Sequence, residues 1–156
     1  MNKSIALTKP VFEKLIEHLI FVEEAADRMA DFYFPDSPED RKDMRHFFSQ
    51  YIKKIEEEMK HITVVRSFAD VSSPDNLNAF PFVIIGSEVE LEDISGSTVF
   101  VYRLIHPDRE NKAKNGITYL SPLGKALLLK NTGSEIDMDA SDAVRCVKIK
   151  VIRLLT

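Results

Sequence analysis

Apolar residues recur every three or four positions through residues 8–62, and the repeat is interrupted once, at Phe34 and Pro35. That interruption limits the fold more than any other feature. Phe12, Leu15, Leu19, Val22, Ala26, Met29 and Tyr33 form a heptad-spaced seam, widened by Ile16 and Ile20, and predict one long amphipathic helix. Thr8 can cap its start, and Pro10 is tolerated in the first turn. About 25 residues of helix would be roughly 38 Å long. The helix must stop at Phe34, since the residue before a proline is pushed out of the α region. A new start follows at once. Ser37 is a capping residue, Pro38 has no amide to lose, and Glu39 and Asp40 suit the positive end of the helix dipole. Beyond it Met44, Phe48, Ile52, Ile55, Met59 and Ile62, with Tyr51 beside them, predict a second helix of similar length. So short a connection implies an antiparallel hairpin. Residues 1–66 are therefore read as a two-helix coiled coil that projects as a rod, the favoured reading, or packs on the second half, with Asp36, Glu39 and Asp40 at its tip. Phe32, Tyr33 and Phe34 read as residues closing the seam, the favoured reading, or as contacts to whatever surrounds the rod.

Residues 67–81 are rich in Ser, Asp, Asn and Pro without a period, and read as a linker. The rest alternates. Residues 82–92 and 98–105 have strand spacing, the first broken at Gly86-Ser87, where a bend or bulge is expected, and the two joined by a hairpin turn. Residues 106–115 are polar and read as an exposed loop. Residues 116–120 are β-branched and aromatic, and lead through Ser121 and Pro122 into an apolar helix. Leu123, Ala126, Leu127 and Lys130 share one stripe of it, with Gly133 placed to take the left-handed conformation at its end. A weak strand near 135–139, a turn at 140–142 and a last strand over 144–155 follow. In the last strand Val147, Ile149 and Val151 should face inward and Lys148 and Lys150 outward. The expected class is α+β: a helical hairpin over 1–66, a linker over 67–81, and over 82–156 about five antiparallel strands with one short helix.

The charge excludes some functions. The chain carries 21 basic and 25 acidic side chains, so it lacks the basic excess that holds proteins to duplex DNA. The acidity lies in residues 1–75, with 11 basic and 15 acidic groups. No run approaches a membrane span, and the single cysteine, Cys146, cannot form an internal disulfide, so a cytoplasmic location is expected. His18, His46, His61 and His106 have no partner at metal-ligand spacing. Gly124-Lys125-Ala126 is not a phosphate loop, because Tyr119 occupies the place of the first glycine and Ala126 that of the magnesium-binding hydroxyl.

The tip admits two readings. Asp36 and Glu39, three apart at a helix start, either complement the helix dipole or present oxygens to a Mg²⁺ ion, which accepts one or two protein carboxylates alongside water and phosphate.

Several stretches resemble one family. IIGSEVELED at 84–93, YRLIHPD at 102–108 and, most strongly, GITYLSPLGKALLLKNTG at 116–133 resemble the C-terminal domain of the GreA/GreB transcript cleavage factors of bacterial RNA polymerase. LTKPVFEKLIEHL at 7–19 resembles the family's opening helix, and Asp36-Ser37-Pro38-Glu39 keeps the D-x-x-E spacing of its acidic tip. The resemblance implies a coiled-coil finger followed by an FKBP-like domain, not an enzyme by itself. It implies that Ser121, Pro122 and Leu123 belong to or support the surface that docks on polymerase. The finger would enter the secondary channel, where Asp36 and Glu39, with Asp40 as tip support, assist the polymerase Mg²⁺ in cleaving backtracked RNA. No metal would be held by the free protein, and the RNA 3′ end would be a partner only indirectly. The chain departs from the family at Pro35, Pro38 and Asp40, where glycine, another residue and asparagine are usual, and its first arm is about two turns shorter, roughly 10 Å. Three alternatives remain: a channel-occupying regulator without cleavage, a peptidyl-prolyl isomerase, and a coiled-coil adaptor for an unrelated partner.

Overall fold

The computed structural model describes residues 5–66, 77–96, 98–106, 115–140 and 143–155. The chain divides into two compact units, residues 1–77 and 78–155. Most of the expected linker at 67–81, most of the loop at 106–115 and the centre of the turn at 140–142 lie outside the described residues.

The first unit is the helical hairpin with a small addition. Strand β1 (Ile5–Thr8) leads into α1 (Lys9–Tyr33), and α2 (Pro38–Met59) returns to β2 (Ile62–Val65). The strands pair in parallel, Ile5 opposite Ile62 and Thr8 opposite Val65. Sequence spacing placed Ile62 in the second helix. Instead the helix gives out at Lys60, and Ile62 and its β-branched neighbours Thr63, Val64 and Val65 pair with the chain start that the hairpin has brought alongside. Thr8 precedes α1, although its side chain makes no capping bond.

The buried stripe of α1 differs from the strict heptad. Leu15, Leu19 and Val22 are buried as expected, but Val11, Ala25 and Ala30 join them, while Phe12, Ala26, Met29 and Tyr33 are only half-buried. At 3.6 residues per turn Val11 and Ala25 flank the Leu15-Leu19-Val22 line on one side and Ala30 on the other, so the buried stripe is broader than a strict two-position seam. On α2 the buried residues are Met44, Phe48, Tyr51 and Ile55, with Ile52 and Met59 half-buried. Tyr51 can enter the core because its hydroxyl lies 2.7 Å from His18 Nε2, which satisfies the polar end of the ring.

The second unit is a five-stranded sheet in the order β5-β4-β3-β7-β6, with one short helix. Its elements are β3 (Ser87–Asp93), β4 (Val99–Ile105), β5 (Gly116–Thr118), α3 (Pro122–Leu127), β6 (Glu135–Ala140) and β7 (Ala143–Leu154). The α+β class holds, but the sheet is mixed: β5 runs parallel to β4. Residues 106–115 separate those strands, a connection far longer than the hairpin turns elsewhere in the sheet, and a parallel neighbour needs such a return. Before β3 the chain is not extended. Gly86, at φ 96°, closes a turn in which Ser87 donates its amide and hydroxyl to the Ile84 carbonyl. Strand β3 therefore begins at Ser87, not at residue 82.

A bulge changes the phase of β7. Glu90 pairs with Val151 and Leu91 with Ile149, so Lys150 is the extra residue. Val147 and Ile149 are buried before it, Ile152 and Leu154 after it, and Val151 is only half-buried, unlike the simple alternation expected. Lys150 turns outward to meet Glu92 at 2.8 Å, which raises its pKa. The core comprises Phe80, Phe82, Val89, Leu91, Leu104, Leu127 and the inward residues of β7. Each large side chain buried there contributes about 1.5–3 kcal/mol of transfer free energy.

Asp93 fixes the turn after β3. Its Oδ1 accepts from the Ser95 amide at 3.0 Å and hydroxyl at 2.9 Å, and Arg145 lies 3.2 Å from Oδ2. The two Ser95 bonds, then Arg145, hold its carboxyl below the usual range against the opposing effect of burial. A depressed pKa means the folded state favours the ionised form. The stabilisation is complete above the unfolded value of about 3.9 and is lost as pH falls through the folded value. The thermal midpoints of wild type and Asp93→Asn, followed from pH 6 to about pH 2, should converge on acidification. A constant gap would show that ionisation of Asp93 contributes nothing.

Candidate functional site

The tip is built by the end of one helix and the start of the next. Phe34 leaves the helical region at φ −131° and ψ 58° while its amide still donates to the Ala30 carbonyl at 3.0 Å. Ser37 caps α2: its hydroxyl accepts from the Asp40 amide at 3.3 Å and donates to Asp40 Oδ2 at 2.7 Å. Asp36, Glu39 and Asp40 are all exposed. The Ser37 bond ties Asp40 back to the cap, whereas no side-chain hydrogen bond or ion pair engages Asp36 or Glu39 among the described residues. The structure thus separates the three acidic residues into one structural carboxylate and two free ones. Among the described residues no three potential ligands cluster to hold a metal. Asp36 and Glu39 fit a role in completing a coordination shell whose other oxygens come from elsewhere.

Sequence reasoning missed two arginines. Arg41 Nη1 donates to the carbonyls of Phe34 at 2.9 Å and Pro35 at 2.7 Å, and its Nε lies 3.7 Å from Asp31. Arg45 bridges Asp27 at 2.9 Å and Asp31 at 3.0 Å. A signal was present. Asp31 and Arg41 lie five residues either side of Asp36, and Asp27 and Arg45 nine, so an antiparallel turn centred there brings opposite charges together. Phe32 does not close the seam: it is 77% exposed, with Tyr33 and Phe34 half-buried behind it. The seam there is closed by the small Ala30, and the helix turns Phe32 away from it.

In the second unit Ser121 holds the corner between β5 and α3. Its hydroxyl accepts from the Gly124 amide at 3.0 Å and donates to the Thr118 carbonyl at 2.7 Å. Pro122 is exposed and Leu123 half-buried, so Pro122 and part of Leu123 face outward from a corner that Ser121 stiffens. The helix is shorter than expected. It ends at Leu127 because the Leu129 amide bonds the Val83 carbonyl at 2.8 Å, and the Val83 amide bonds Lys130 at 3.0 Å. Leu129, at φ 66°, takes the left-handed place; Gly133, at φ 91°, serves the next turn, and Lys130 is exposed, off any buried stripe.

Cys146 is exposed, and desolvation together with Glu135, Asp137 and Asp93 raises its pKa, which keeps the thiol protonated and a poor nucleophile. Among the described residues no helix is long and apolar enough to cross a membrane.

Residues 78–154 match the family model described as "Transcription elongation factor, GreA/GreB, C-term". The chain is 47% identical over 58 residues to a "Transcription elongation factor GreA" of Solidesulfovibrio magneticus, covering 37% of this chain and 35% of that protein. It is 34% identical over 104 residues to a "Transcription elongation factor GreA" of Nitratidesulfovibrio vulgaris, covering 67% of this chain and 59% of that protein. The matched region thus spans between about a third and three fifths of the length of these relatives. A solved "Prokaryotic transcription elongation factor GreA/GreB from Nitrosomonas europaea" aligns over 97% of this chain and 99% of that one, at TM-score 0.45 and 20% identity. At that score the assignment rests on the sequence matches alone.

Proposed function

This chain belongs to the GreA/GreB family, and from that premise we propose that it is a transcription elongation factor acting on bacterial RNA polymerase. The helical hairpin enters the secondary channel, and the second unit docks at its rim through the surface around Ser121, Pro122 and Leu123. The observation that carries the reading is the pair of exposed, untied carboxylates, Asp36 and Glu39, at the turn of the hairpin.

A Mg²⁺ ion held by the polymerase would supply Lewis-acid chemistry for hydrolysis of backtracked RNA. Asp36 and Glu39 offer carboxylate oxygens to that centre, Asp40 and Ser37 keep the first turn of α2 in place, and the hairpin sets the direction of approach. The chain is then not an enzyme by itself. It would hold no metal when free, meet the RNA 3′ end only inside the polymerase, and work in the cytoplasm.

A second reading has one sequence feature in its favour. Pro35 and Pro38 stiffen the turn and fix the tip in a shape of its own, which suits a regulator that occupies the channel without cleavage. Both readings require polymerase. Purified protein mixed with core RNA polymerase at modest salt should co-elute with it. Failure to bind would move the assignment to an adaptor for another partner.

A further inference from the structure

The two prolines fix their own backbone angles at the tip but leave its turn short of hydrogen bonds. Pro35 and Pro38 have no amide to donate, and the one bond closing the turn, Ser37 amide to Phe34 carbonyl, is long at 3.4 Å. The carbonyls of Phe34 and Pro35 lie at the negative end of α1, where a cationic donor is favoured, and α1 has no basic residue in its last turn.

Arg41 provides it from the first turns of α2. Its guanidinium binds both carbonyls, at 2.9 and 2.7 Å, and its own amide donates to the Ser37 carbonyl at 3.0 Å. Asp36 therefore sits between two carbonyls, those of Pro35 and Ser37, that are both bonded to Arg41. Glu39 lies two residues before Arg41 on the same helix. The Arg41 guanidinium thus ties the backbone before Asp36, and the first backbone bond of α2 ties the backbone after it, to the helix that carries Glu39. Arg45 bridges exposed carboxylates lower down and holds the arms, not the turn.

We propose that Arg41 is a positioning residue, which sets the separation and direction of Asp36 and Glu39 by binding the carbonyls of Phe34 and Pro35. The inference rests on the cleavage reading above for its functional consequence. Its structural part stands on the free protein.

The test uses Arg41→Ala and Arg41→Lys in the full chain. Amide exchange is measured on the free protein, and RNA shortening on halted, backtracked polymerase complexes at rising factor concentration. In Arg41→Ala, exchange at Phe34 and Ser37 should quicken about tenfold while Val22 and Phe48 in the hairpin core keep their protection. The maximal cleavage rate should fall about tenfold or more with the half-saturating concentration little changed, because misplacing a metal ligand affects rate before binding. Arg41→Lys, which keeps the charge beside Asp31, should recover part of both. Unchanged exchange, an unchanged maximal rate, or a loss confined to the half-saturating concentration would each overturn the proposal. If wild type itself leaves the RNA intact, the cleavage reading fails. Faster exchange in Arg41→Ala would then make Arg41 a structural clamp only, and its positioning role would be overturned as well.

Discussion

Gly124→Ala should unfold the second unit at temperatures where the wild type is stable. An ideal Cβ at Gly124 would lie 1.9 Å from the Thr118 carbonyl oxygen, 2.8 Å from its carbon and 3.0 Å from Ser121 Oγ. The oxygen cannot give way cheaply, because the Ser121 hydroxyl and amide both donate to it, at 2.7 and 3.1 Å. Relief must come from moving α3 off β5, which breaks the Ser121 cap and withdraws Leu127 from the core. Overpacking a rigid core costs about 1–3 kcal/mol and more where backbone is struck, so on the order of 3 kcal/mol or more is expected. For a unit of this size that lowers the thermal midpoint by roughly 10–25 °C. Gly133→Ala is the control. Nothing lies within 4 Å of its Cβ, and only its φ of 91° resists substitution, at roughly 1–2 kcal/mol. Equal losses in the two variants would refute the close-approach account of Gly124.

The local signals at the starts of α2 and α3 carried through to the structure, whereas the pairings made between distant segments did not show in the sequence. Ser37-Pro38 and Ser121-Pro122 each start a helix where their chemistry places one, because a cap is settled within four residues. The parallel pairing of β1 with β2 depends on the hairpin bringing residues 5–8 beside 62–65, and no local pattern records it. The end of α3 was misread for a similar reason: Leu129 and Lys130 continue an apolar run, yet their backbone is taken by Val83. Lys150 looked like one step of an alternation, and only pairing with β3 makes it a bulge. At the tip, the exposed position of Asp36 and Glu39 was legible from their place in the turn between the two helices. The separation of Asp40 from them was not, since it turns on the rotamer of Ser37. The role of Gly124 was hidden as well, because no sequence pattern marks how closely two backbones approach.

Replacing both tip carboxylates, in Asp36→Ala/Glu39→Ala, should have the largest effect on activity. Neither side chain is engaged in a hydrogen bond or ion pair among the described residues, and both are exposed at a turn whose backbone is held by Ser37 and Arg41. Their removal should therefore leave the hairpin fold and polymerase affinity nearly unchanged. The chemical step should lose on the order of 10²-fold or more, the scale expected when groups stabilising charge in the transition state are deleted. The direct measurement is RNA length against time in halted, backtracked polymerase complexes at saturating factor. Wild type should shorten the RNA, and the doubly substituted protein should bind equally well and leave it intact. RNA that stays intact with wild type, or shortens equally fast with both proteins, would contradict the account.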